Sequence, residues 1–205
     1  MGRRALLVSG IVASLLYVAA DVLGAVRWEG YRSTTQAISE LSAIDAPSRP
    51  LVAPLLIGYD VLLIAFGAGV WATARKSGLR VTAGLLVGIG LIGLVWTPFF
   101  PMHLRGVAKT LTDTVHIVLA AVTVLCIVPA IGFAAAAAGG RFRVFSMVII
   151  AVLVGSGALA ASDGPRVAAQ QPTPWLGVSE RICVGSFLLW VIALASSLLH
   201  AEQRT

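Results

Sequence analysis

Nine acidic residues and three histidines in a chain of 205 are few enough to place one by one. Asp113 and His116 stand three apart, so on a helix they share a face, where a carboxylate can orient an imidazole as a general base. The same spacing suits plain capping, with Thr110 and Asp113 closing a helix start and His116 bonding a neighbour. His103 lies a short turn upstream. Three such ligands could converge on a metal, but no H-E-x-x-H or paired-cysteine motif accompanies them, and no metal is assigned. Asp21 and Asp60 interrupt long apolar stretches. An acid in hydrocarbon costs at least about 2.5 kcal/mol on insertion scales, so each must face other helices or a wet cavity. Asp60 reads either as half of a buried ion pair with Arg181 or Arg105, or as a working acid with a pKa raised by desolvation. Glu180 and Arg181 adjoin, and Ser39 and Glu40 lie in an early polar segment. Arginine suits an anionic headgroup. Alternatively, Arg181 bridges to Glu40 or Glu180 and ties a loop to a helix.

The elements that must position these residues are membrane spans. Hydrophobic residues make up 58% of the chain and charged residues 12%, and the mean hydropathy is +0.93. A soluble domain carries roughly 25% charge. Each crossing needs roughly 20 mostly apolar residues, so the length allows six spans, short loops and no separate soluble domain. The apolar runs place the spans at about 5–26, 51–74, 81–100, 110–138, 144–161 and 179–200. A cleaved signal peptide is the rival for the first, but the run exceeds a usual h-region. Trp28, Tyr31 and a Ser33–Gln36 capping pattern predict a short helix on the membrane surface over 33–43, or a plain loop. Gly84 and Gly88 give the third span a small-xxx-small face that admits another helix closely and could serve an oligomer. Pro129 predicts a kink, and Gly139 and Gly140 a stop.

The net charge of +6 is spread over helix ends rather than gathered in a stripe, which argues against nucleic acid. Cys126 and Cys183 fall at depths differing by about 15 Å, too far for a disulfide. With the N-terminus inside, Arg3, Arg4, Arg75, Lys76, Arg80, Arg141, Arg143 and Arg204 gather on one side in very short turns, and seven cations on the other are mixed with acids. The basic turns place both termini in the cytoplasm. On that topology Asp21 and His116 lie roughly 7 Å below the outer surface and Asp60 about 14 Å, near the midplane.

Gly30 and Tyr31, then Ile38, Ser39, Glu40, Leu41, Ser42 and Ala43, with Phe100, Pro101 and His116, and finally Gly177, Glu180 and Arg181, form a set spread over nearly the whole chain. In this set the chain resembles the Domain of Unknown Function 998 family, polytopic membrane proteins of bacteria and archaea. The resemblance implies the same topology in a cell membrane, and it groups Glu40, His116, Glu180 and Arg181 as one constellation. It implies no activity. A looser similarity, to membrane hydrolases of the ceramidase and progestin-receptor type, lacks their late His-x-x-x-His pair.

The first functional expectation is a membrane-embedded enzyme acting on a lipid or isoprenoid from an outward-facing polar pocket. In it Asp60 or Asp21 is the acid, Asp113 with His116 the base, and Ser39, Glu40, His103, Glu180 and Arg181 hold the substrate. The second is a non-catalytic lipid-binding or accessory membrane protein. The third is a small proton-coupled transporter, for which the chain offers no internal repeat. No cofactor is indicated.

Overall fold

The computed structural model describes residues 2–203, so Met1, Arg204 and Thr205 lie outside the described residues, Arg204 of the basic tally included. The described residues are helical and contain no strand. α1 (Arg3–Arg27), α2 (Arg49–Thr73), α3 (Ser77–Phe99), α4 (Leu111–Ala138), α5 (Gly140–Ser162) and α7 (Leu176–Gln203) are the long elements; α6 (Gly164–Ala168) is one short turn after α5. Among the described residues, six helices are long and apolar enough to cross a membrane. Where the sequence predicts a surface helix over 33–43, a 3-10 helix forms over Ile38–Ser42 only. The residues before it are held by turns and side chains instead.

The spans pack in chain order, α1 on α2, α2 on α3, α3 on α4, α4 on α5 and α5 on α7, and α7 closes the ring against α1. Large apolar side chains fill this ring from its middle to the short turns. Leu7, Phe66, Leu86, Ile131, Leu153 and Trp190 are all essentially inaccessible there. Hydroxyls in this part bond to helix carbonyls, as Thr82 Oγ1 does to Ala130 (2.9 Å), and the Trp190 indole donates to Ser146 Oγ at 3.1 Å. Leu15, Val26, Leu125 and Leu159 are more than half exposed, as residues facing acyl chains must be.

Glycine decides how closely α2 and α3 approach. A Cβ on Gly67 would meet the Ala83 carbonyl and Val87, and one on Gly90 would meet Ile64 and the Asp60 backbone. Gly84 and Gly88, the pair singled out by spacing, have nothing within 4 Å and face away from the bundle. At the α4–α5 junction Gly139 and Gly140 both have positive φ, 72° and 52°, so the chain reverses between two long helices with one residue between them. α4 runs on through Pro129 without interruption. Cys126 and Cys183 are both free.

Candidate functional site

The opposite end carries the long connections, and there the charged residues pair across them. α1 ends at Arg27, and the chain from Trp28 to Ser48 has too little regular structure to satisfy its own backbone. Other elements do it. Thr34 C=O accepts from the first free N–H groups of α7, Gly177 (3.0 Å) and Val178 (3.3 Å), and Ile44 N–H donates to Met102 C=O at 2.8 Å. Ser48 Oγ donates to Leu41 C=O at 2.7 Å, and the Arg49 guanidinium donates to the Ser42 carbonyl.

Arg181, one turn into α7, is the first of two arginine hubs. Its Nε and Nη2 form a fork on the Asp21 carboxylate at 3.0 and 2.7 Å. Nη1 donates to the carbonyls of Ser33 (2.6 Å), Gln36 (3.2 Å) and Gly177 (3.2 Å), and Nη2 also reaches Tyr31 Oη at 2.9 Å. The guanidinium carbon lies 5.7 Å from the Tyr31 ring centre. Burial pushes the Tyr31 phenol up to about 12, against the opposing pull of Arg181. A planar five-donor group suits this junction, where a carboxylate and three carbonyls converge.

Arg105, in the α3–α4 loop, is the second hub. Its Nε and Nη2 grip the Glu40 carboxylate at 3.0 and 2.7 Å, while Nη1 donates to Thr173 Oγ1 (2.8 Å) and Nη2 to Thr35 C=O (2.9 Å). Glu40 is 2% exposed and also accepts from Ala37 N–H (2.9 Å) and Gln36 Nε2 (3.1 Å). Thr173 Oγ1 donates to Thr35 C=O at 2.9 Å. Three connections, 28–48, 100–110 and 169–175, are thereby locked together.

Glu180 accepts from Ile38 N–H at 2.6 Å. Asp113 accepts from the backbone N–H groups of His103 (2.7 Å) and Thr110 (2.8 Å), and its Oδ2 lies 2.8 Å from His103 Nδ1. The carboxylate therefore orients His103, not His116. His116 stands one turn deeper, its ring edge-on to Trp96 with centres 4.7 Å apart. His116 Nδ1 lies 2.6 Å from Trp96 Nε1 and 2.9 Å from the Phe100 carbonyl. An indole N–H only donates and a carbonyl only accepts, so the two contacts select opposite tautomers. Nε2 has no partner among the described residues. Ser39 is half-buried, and its carbonyl accepts from Ser42 Oγ at 3.3 Å.

Asp60 stands apart. It is 4% exposed in mid-α2, and among the described residues no donor or cation reaches its carboxyl. Arg105 and Arg181, the partners considered for it from the sequence, are both engaged elsewhere. The carboxyl fits the notch left by Gly93 on α3, where any Cβ would collide with it. Tyr59 and Tyr17 meet edge-on beside it with ring centres 5.0 Å apart.

Asp21 and Arg181 are thus brought together, as are Asp113 and His103. Glu40 is brought to Arg105, not Arg181, and Asp60 to none of these. The roles of Arg105, Thr173 and Trp96 were not readable from spacing. Arg105 and Thr173 sit in loops far from Glu40 in sequence, and Trp96 looks like any apolar span residue. No group of three or more His, Cys, Asp or Glu side chains with metal-binding geometry occurs among the described residues.

Six membrane-length helices closed into a ring under a polar clasp make this a multi-pass helical membrane protein. The chain belongs to the family described as Protein of unknown function (DUF998), whose model matches residues 11–197. That interval includes every arginine and carboxylate of the clasp. No curated protein and no solved structure matches the chain.

Proposed function

We propose that this protein is a non-catalytic lipid-binding or accessory protein of the cell membrane, with both termini in the cytoplasm. The observation that carries the reading is the occupancy of its acids. Asp21, Glu40 and Asp113, three of the carboxylates expected to do chemistry or hold substrate, accept their hydrogen bonds from the protein's own arginines, histidine and backbone. A carboxylate in a charge-assisted fork is a poor base, because the fork stabilises its charged form. Lipid as the ligand class is supported by a hollow of about 350 Å³ on the α2–α3 face, walled by Gly67, Trp71, Gly84 and Val87, with Trp71 57% exposed. The same face is the one a second copy would use in a Gly84–Gly88 contact.

The enzyme reading is kept alive by two groups outside the clasp, the His116 Nε2 and the buried, unpaired Asp60 carboxyl. The two readings part in one experiment. The protein is placed in nanodiscs made from total bacterial lipid extract, incubated, and the lipids are compared by mass spectrometry with those of empty discs. The expected result is lipid enriched on the protein and recovered chemically unchanged. A new product formed by the wild type and lost in a folded His116→Ala or Asp60→Asn variant overturns the proposal in favour of an enzyme. Orientation is tested separately by cysteine accessibility in Ser77→Cys and Val107→Cys, both at exposed positions, where labelling of position 77 from outside intact cells reverses it.

A further inference from the structure

At the short-turn end, cations gather around a hollow instead of around carboxylates. The start of α1, the α2–α3 turn and the ends of α4 and α7 surround a cavity of about 730 Å³, lined by Arg3, Arg4, Arg75, Lys76, Leu79 and Leu198 among others. Sites for small ligands run about 300–1,000 Å³. Two of the four cations are occupied. Lys76 Nζ donates to Ala137 C=O at 2.5 Å, covering the last turn of α4, and Arg3 Nε lies 3.5 Å from Glu202. Arg4 and Arg75 have no hydrogen-bond or ion-pair partner among the described residues. They differ in this from Arg105 and Arg181, every one of whose guanidinium nitrogens is engaged.

The tendency of lysine and arginine to stay on the cytoplasmic side explains why cations occur at this end. It does not explain their convergence, since Arg80 and Arg141 satisfy it at the same end without lining the cavity. The opposing influences are Glu202 and the partial negative charges at the ends of α2, α4 and α7. Lys76 offsets one of these and Arg3 faces Glu202, which leaves the two free guanidinium groups beside apolar walls. A forked donor next to hydrocarbon suits a phosphate attached to an apolar body. We infer that this cavity binds the phosphate group of an anionic membrane phospholipid, with Arg4 and Arg75 as its contacts. The inference rests on the lipid-binding reading above and adds to the apolar α2–α3 hollow a separate headgroup site and its headgroup class.

The full chain in neutral detergent is titrated with dioleoyl phosphatidylglycerol, dioleoyl phosphatidylcholine, glycerol 3-phosphate and inorganic phosphate, with binding read by native mass spectrometry and thermal melting. Two paired variants are compared, Arg4→Gln with Arg75→Gln in the cavity and Arg80→Gln with Arg141→Gln outside it. All four positions are exposed, so both variants retain the fold, which the melt without lipid verifies. Phosphatidylglycerol binds in preference to phosphatidylcholine, and the cavity pair weakens it about thirty-fold, at roughly a kcal/mol per cation near a membrane surface, while the outside pair changes it less than about three-fold. Equal weakening by both pairs overturns the site in favour of diffuse surface charge. Phosphatidylglycerol binding untouched by the cavity pair overturns the site and leaves the lipid-binding reading standing. Retention of no lipid at all overturns both. A response to inorganic phosphate or glycerol 3-phosphate equal to that for phosphatidylglycerol overturns the lipid as source and assigns a soluble phosphate.

Discussion

The two ends of the bundle use charge in opposite ways. At the end with long connections, Arg181 meets a carboxylate and three carbonyls and Arg105 a carboxylate, a hydroxyl and one carbonyl, and the segment from Trp28 to Ser48 is held by them. At the end with short turns, Arg4 and Arg75 have no hydrogen-bond or ion-pair partner among the described residues. Connection length is the cause. The α2–α3 and α4–α5 turns leave few backbone groups to satisfy, and Lys76 and Arg143 cover the last carbonyls of α4, whereas the 28–48 segment has many carbonyls that its own sparse regular structure does not bond. Arg105 and Arg181 are therefore part of the fold, whereas Arg4 and Arg75 hold no polar contact among the described residues.

The largest expected effect comes from breaking the first hub. Arg181→Met removes the donor from Asp21, from the Ser33 and Gln36 carbonyls of the loop and from the Gly177 carbonyl of α7, and should cost about 3–5 kcal/mol, the range for removing one partner of a poorly accessible ion pair. The melt in detergent reads it, and an unchanged melting temperature would erase the contrast between the ends. Next is Gly177→Ala, whose added methyl would strike the Ser33 and Gln36 carbonyls and lift the loop from α7. Overpacking of that kind costs about 1–3 kcal/mol. Limited proteolysis within 28–48 should accelerate with it; a loop equally protected in the variant would show that the clasp does not depend on that approach.

Two glycines on α3 sharpen the comparison further. Gly93→Ala drives a methyl into the Asp60 carboxyl and should lower stability by about 1–3 kcal/mol, a loss reduced when Asp60→Ala is added. Gly84→Ala meets open space and should move the melt by no more than about 1 kcal/mol, toward stability. Equal losses at the two positions would mean that Gly84 is covered by a second copy. The smallest effect is expected for Arg4→Gln with Arg75→Gln in lipid-free detergent, within about 0.5 kcal/mol of the wild type. A clear loss there would show that these cations support the fold.

Much of the architecture was legible because membrane spans announce themselves by composition. Six apolar runs of sufficient length, punctuated by Gly139, Gly140 and the basic turns, predict the six helices the structure contains, since the backbone in hydrocarbon has almost no alternative to a helix. The gathering of Asp21, Glu40, Asp113, His116 and Arg181 toward one end was legible for the same reason, as depth follows from residue count. Their pairing was not. Asp113 is three residues from His116 and ten from His103, yet it binds His103, because the loop after α3 folds back over the start of α4. Gly84 and Gly88 have the better spacing, but Gly90 and Gly93 meet α2, since helix rotation about its own axis is set by packing with neighbours and leaves no trace in a uniformly apolar span.

The sequence by itself determined that this chain crosses a membrane six times, which residues lie near each membrane face and where the helices break, because hydrocarbon permits few alternatives and every residue advances a helix by a constant rise. Only the tertiary structure decided which charges neutralise one another, that Asp60 sits in the notch of Gly93 with no partner among the described residues, and that Arg4 and Arg75 converge on a hollow. Those depend on helix rotation and on loops that cross between distant parts of the chain, and contacts of that kind are not encoded in local spacing.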